Sequence, residues 1–130
     1  WNGLVWPIGI GTAMILPALN AISLLIPNAA VLLFPSWFQL GRDATQGIEA
    51  TGQRLIFALG QFLAFAISLV PAALVFTLVL FAVKSFAGLA LAVPAASAAT
   101  AIVLAVEAGL GVLLLGWLFE RFDVSAEQSP

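Results

Sequence analysis

The sequence predicts an all-α, polytopic membrane protein with about three spanning helices, a short interfacial segment and a cytoplasmic surface helix. Hydrophobic residues make up 63% of its 130 residues and charged residues only 8%, with a mean hydropathy of +1.17. Soluble domains are typically about 45–50% apolar and about 25% charged. Charged residues are absent from 1–41 and from 55–83. Because the chain has too few charged residues to form the surface of a soluble domain, most of it must lie in the hydrocarbon of a membrane.

The first predicted span covers about residues 4–26, which exceeds the roughly 20 residues that a membrane helix needs. Pro17 lies near its middle and is expected to kink the helix. Asn20 is the strongly polar side chain inside this run. Small residues recur at every fourth position, which predicts a face where another helix can approach closely. These residues are Gly9, Ala13, Pro17 and Ala21.

A short apolar stretch and a polar loop follow the first span. Pro27 and Asn28 predict the end of the helix, and residues 29–40 are too short to span, so they are expected to form an interfacial segment. Residues 42–54 form a polar loop between two apolar runs. The spacing of Asp43 and Gln46 is that of a capping box, which predicts a short surface helix leading into the next span.

The second and third predicted spans cover about residues 55–83 and 94–119, and residues 120–130 form a polar tail. The second span is longer than a bilayer requires, so it must tilt or kink, with Pro71 as the expected kink. A short connection around Gly88 precedes the third helix, whose first turn is expected to contain Pro94. Two further small-residue stripes are predicted packing faces: Gly60, Ala64, Ser68 and Ala72, and then Ala101, Ala105 and Gly109.

Glu107 is the one charged residue between 85 and 119. Apolar neighbours contribute roughly −3 to −7 kcal/mol to insertion of this helix, against about +3 kcal/mol for the carboxylate, so the helix still inserts. One interpretation is a functional group at a helix interface or aqueous pathway; the other is a carboxylate paired with a polar neighbour. Gln61 and Asn20 complete the candidate intramembrane polar site, and both also serve readily as interhelical hydrogen-bond partners.

The composition also excludes several classes of function. The chain has no cysteine, histidine or tyrosine, so it lacks thiolate metal ligands, disulfides and a Ser/His/Asp triad, and we predict no enzyme activity, cofactor or metal site. Four Lys and Arg residues, at a net charge of −2, cannot form a nucleic-acid-binding patch. The polar loop and tail together hold more basic residues than the Lys84 side, which predicts that both are cytoplasmic.

Two stretches resemble bacterial ATP-binding-cassette exporter permeases. The first is Phe34-Pro35-Ser36-Trp37 with Gly47-Ile48-Glu49-Ala50-Thr51-Gly52-Gln53-Arg54, and the second is Phe119-Glu120-Arg121-Phe122-Asp123-Val124-Ser125-Ala126-Glu127. The resemblance implies the C-terminal membrane segment of a longer permease, in the bacterial inner membrane, which dimerises and works with a separate ATPase subunit. No Gly-x-x-x-x-Gly-Lys phosphate loop occurs in the sequence, in keeping with nucleotide binding by that partner. Glu49, Gln53 and Arg54 then form a candidate ATPase-coupling loop.

Two other functions stay open at this point. One is an ion-coupled secondary transporter in which Glu107 is the proton site, and the other is a membrane anchor or assembly subunit that transports nothing. Transport driven by a pH gradient without ATP would favour the first. Replacement of the polar residues by Leu with no effect beyond stability would favour the second.

Overall fold

The computed structural model describes residues 2–35 and 48–127, and over these ranges the chain is helical with no strand. Helix α1 covers Asn2–Leu33, α2 covers Ile48–Ala87 and α3 covers Leu89–Glu127. Each helix is long and apolar enough to cross a membrane. The predicted all-α fold class with three candidate spans is therefore confirmed.

Helix α1 continues beyond the predicted boundary at Pro27. It contains Pro7, Pro17 and Pro27 and ends at Leu33, so the prediction that residues 29–33 belong to a separate interfacial segment is wrong. The physical reason is that a membrane helix tolerates the lost proline N–H when local groups compensate. Asn28 donates a hydrogen bond from its side-chain nitrogen to the Leu24 carbonyl at 2.7 Å and so stays within the helix. Residues 36–40 of the predicted segment lie outside the described residues.

Helix α2 begins within the predicted polar loop. Residues 48–54 are helical and run without a break into the second span. Helix α2 has 40 residues. At about 1.5 Å per residue it is about 60 Å long, roughly twice the thickness of the hydrocarbon core. The remainder of the loop, residues 42–47, lies outside the described residues.

A single glycine connects α2 to α3. Gly88 has a φ of 76°, a left-handed conformation that side chains with a Cβ rarely adopt. Its N–H donates to the Lys84 carbonyl at 3.3 Å, and its carbonyl accepts from the Ala92 N–H at 3.1 Å. Because the helical pattern restarts at once, α3 begins at Leu89 rather than near residue 94. Pro94 thus lies in the second turn of α3, and the prediction of a first-turn position is wrong.

Helix α3 is the centre of the bundle. It packs extensively against both α1 and α2, whereas α1 and α2 make few contacts with each other. One core cluster contains a residue from each helix, Ile22, Ala72 and Leu104, and α3 also buries Ala92 and Ala96; all are at most 3% exposed. Gly11 faces Ser97 and Gly111 faces Leu25, so α1 and α3 run parallel with a constant register.

Large apolar side chains cover the outside of the bundle. Trp6 is 78% exposed, Leu55 71% and Phe86 91%. Such a surface is unfavourable in water and favourable in lipid, where apolar side chains face the acyl chains. Together with the length and composition of the three helices, it identifies a multi-pass membrane protein.

Candidate functional site

Glu107 lies on the packed face of α3. It is three residues after Leu104 and four before Gly111, spacings that keep side chains on one face of a helix. Leu104 packs in the core with Ile22, and Gly111 lies against the side chain of Leu25. Leu104 also packs with Ala72 of α2, whereas the Gly111 contact is with α1. Glu107 therefore lies on the packed face of α3, between two residues that contact other helices.

The carboxyl group of Glu107 is shielded at one oxygen. The residue is half-buried, and its Oε2 is buried with no hydrogen-bond partner among the described residues. Along α3, Glu107 is about 28 Å from Gly88 and about 21 Å from Arg121. It therefore lies near the middle of a bilayer whose apolar core is about 30 Å thick. An unpartnered oxygen at this depth costs free energy, which is why such residues are functional candidates.

The described basic residues lie at the ends of the helices, far from Glu107. Arg54 is near the start of α2, Lys84 is in its last turn and Arg121 is near the end of α3. The Arg121 guanidinium stacks over the Trp117 ring, 4.2 Å from its centroid. A tryptophan and an arginine in contact are typical of the membrane–water interface. The described residues hold no cluster of three or more acidic, His or Cys side chains that could bind a metal.

Gln61 faces a different part of the bundle, the gap between α1 and α2. An apolar cleft of about 400 Å³ opens there. Its lining residues are Ile26, Ala29, Ala30, Leu33, Phe34, Ile56, Phe57, Gly60, Gln61 and Ala64. The Gln61 amide is the strongly polar group of this lining. The cleft lies toward the end of the bundle where the polar loop joins α1 and α2.

Asn20 is exposed on α1. Most other polar side chains of the spans hydrogen-bond to their own helix, and Asn20 does not. Six hydroxyl groups donate to backbone carbonyls three or four residues earlier on their own helix: Thr12, Ser23, Ser68, Thr77, Ser85 and Thr100. Asn28 does the same through its amide. The Asn20 amide makes no hydrogen bond to another residue in the described ranges. The three intramembrane candidates, Asn20, Gln61 and Glu107, thus lie on different faces and form no single cluster.

The candidate coupling residues lie in the first two turns of α2. Gln53 and Arg54 are exposed. Glu49 is in the first turn of the helix, and its side chain lies outside the described residues. Since α2 is helical through this segment, these residues belong to the end of a membrane helix and not to a separate loop.

The predicted small-residue stripes divide between inner and outer surfaces. On α1 the whole stripe is exposed, and Gly9 has open space where a Cβ would lie. The α1 glycine that contacts α3 is Gly11, which the four-residue pattern missed. On α2 the stripe runs from Gly60 in open space to the buried Ala72. On α3, Gly109 is open and Gly111 makes the contact.

Comparisons with models of protein families, with curated proteins and with solved structures gave no match.

Proposed function

We propose that this chain is the membrane-spanning permease portion of an ATP-binding-cassette exporter in the bacterial inner membrane. A separate ATPase subunit supplies the energy, and two permease chains assemble. The observation that carries the proposal is the continuity of α2, from the exposed Gln53 and Arg54 at its polar end to Ala87 at its far end. The resemblance of residues 47–54 and 119–127 to such permeases supports the same assignment.

The packing of α2 connects its polar end mechanically to the rest of the bundle. Ala72 is 2% exposed and packs against Leu104, so a displacement of the polar end of α2 acts on α3. Helix α2 makes few contacts with α1, and the cleft between them leaves space for movement. An ATPase subunit that binds Glu49, Gln53 and Arg54 would thereby move α2 relative to α1.

Charge reversal at the polar end of α2 tests this coupling. The double variant Glu49→Lys with Arg54→Glu is expected to uncouple ATP hydrolysis from transport and to reduce co-purification of the ATPase subunit with a tagged chain. Lys84→Glu is the matched control, because it reverses a charge on the same helix at the opposite end. Normal transport and normal co-purification in the double variant would rule out this docking site.

Glu107 supports a second candidate, an ion-coupled secondary transporter. The specific observation is the buried Oε2 without a partner among the described residues, near mid-membrane depth. Proteoliposomes with an internal pH-sensitive dye provide the test, since a proton site predicts uptake driven by a pH gradient without ATP. Glu107→Gln would then abolish uptake, and Glu120→Gln, an exposed acid on the same helix, would not. Transport that requires ATP and survives Glu107→Gln would exclude this candidate.

A further inference from the structure

The Asn20 amide points away from the bundle. Ile22 faces the core and is 3% exposed, whereas Asn20 is exposed. Two residues correspond to a rotation of about 200° around a helix, so Asn20 lies on the side of α1 opposite α3. No hydrogen bond joins its side chain to another residue of the described ranges.

Asn20 also lies deep in the membrane. The parallel register of α1 and α3, with Gly11 against Ser97 and Leu25 against Gly111, places Asn20 level with Val106, next to Glu107. This is about 22 Å from Arg121 along α3, near the middle of the hydrocarbon core. Lipid tails offer neither donors nor acceptors, so an unpaired amide at this depth is unfavourable.

Asn28 provides the contrast within the same helix. It is also exposed, but its amide donates to the Leu24 carbonyl at 2.7 Å. The side-chain N–H of Asn28 therefore has its hydrogen-bond acceptor within α1. The Asn20 amide has no such acceptor in the described bundle, so we expect its hydrogen-bond partner to lie outside it.

The face that carries Asn20 also permits close approach of another helix. Gly9 and Ala13 lie eleven and seven residues before Asn20. On a helix these separations bring all three within about 40° of one another. Both small residues are exposed, and nothing lies within 4 Å of the position of a Cβ on Gly9. Small residues at such positions let two membrane helices approach until side-chain hydrogen bonds form.

We infer that α1 packs against α1 of a second copy of this chain, with Asn20 of each copy hydrogen-bonded to the other. Copies insert in one orientation, so a two-fold axis along the membrane normal brings each residue to itself at the same depth. An amide carries both donors and acceptors, so two asparagines can exchange reciprocal hydrogen bonds. A different helix would need its own polar group at this depth, whereas a second copy always supplies one. This inference rests on the three helices spanning a membrane and on the outer face of α1 being open to another helix, and it needs no ATPase subunit.

Dimerisation of the full chain in lipid vesicles tests the inference, measured by energy transfer between labelled copies without any ATPase present. Asn20→Leu is expected to raise the dissociation constant about 5- to 30-fold, and Asn20→Gln, which keeps the amide, is expected to remain largely dimeric. Asn28→Leu is the matched control and should dimerise as the unchanged chain does. Unchanged dimerisation of Asn20→Leu, equal weakening by Asn28→Leu, or a chain that is monomeric throughout would overturn the inference.

Oxidative cross-linking locates the interface directly, because the chain has no cysteine of its own. Ala13→Cys lies on the Asn20 face and is expected to form a disulfide-linked dimer in membranes. Ile67→Cys, which is 69% exposed on α2, is expected to stay monomeric. Cross-linking at Ile67→Cys alone, or of Ala13→Cys to a different polypeptide, would show that another partner or another face is used. Helical content by circular dichroism confirms that each variant is folded.

Discussion

The contacts of α3 with its two neighbours and the gap between α1 and α2 form two different kinds of helix interface. The contacts of α3 are close: Ala92 and Ala96 are 0% exposed, Ser97 2% and Thr100 6%. Between α1 and α2 lie open spaces of about 290 and 400 Å³. A third space, of about 410 Å³, is lined by α1 and α2 and also by Val93 and Ser97 of α3. All of these surfaces lie in the same apolar solvent, so hydrophobicity does not distinguish them.

The close contacts of α3 occur where a small residue meets the neighbouring helix. In lipid, helices associate through van der Waals packing and hydrogen bonds, because the tails are as apolar as the side chains. Small residues on α3 and Gly11 on α1 let backbones approach closely. The α1–α2 gap is lined by Phe57, Phe62 and Phe65, and also by small residues that meet no small partner on the facing helix, among them Gly60 and Ala64. The bundle therefore has one tightly joined helix and two flanking helices with room to move against each other.

The largest effect is expected from removing the core side chain that joins all three helices. Leu104→Ala should lower the free energy of unfolding by about 2–5 kcal/mol, because Leu104 is 1% exposed and its loss leaves a cavity against Ile22 and Ala72. Ile102→Ala is the control, since Ile102 is 65% exposed on the same helix and faces lipid. Unfolding by SDS in mixed micelles measures both. Equal losses in the two variants would mean that Leu104 is not a core residue.

A smaller effect is expected from adding one methyl group to the α1–α3 interface. A Cβ on Gly11 would lie 2.5 Å from the Ser97 Oγ and 3.2 Å from its Cβ, so Gly11→Ala should cost about 1–3 kcal/mol of unfolding free energy. Ser97→Gly removes both atoms, so the double variant should recover most of that loss. A double-mutant cycle in mixed micelles gives the coupling. Additive effects of the two substitutions would show that the two residues do not touch.

The sequence was sufficient for the fold class but not for the packing. Long runs with no charge, or with Glu107 alone, predicted three helices. Burying a charge in lipid costs so much free energy that the position of each charge in the sequence marks where a span ends. Which face of each helix meets another depends on non-local packing. Gly9 and Gly11 are equally small, and only the register with Ser97 shows that Gly11 is the buried one. The buried oxygen of Glu107 and the outward amide of Asn20 likewise required the packed bundle.

The smallest effect is expected in the α1–α2 gap, and its sign should be opposite to that at Gly11. Gly60 lines the cleft, and nothing lies within 4 Å of the position that a Cβ would take. Gly60→Ala therefore meets no obstacle and gains helix propensity, so we expect unfolding free energy to rise by about 0.5–1 kcal/mol. Because the substitution is the same as at Gly11, propensity cancels between the two variants, and the difference between them measures packing alone. A loss at Gly60 as large as that at Gly11 would mean that α1 and α2 are as closely joined in the membrane as α1 and α3.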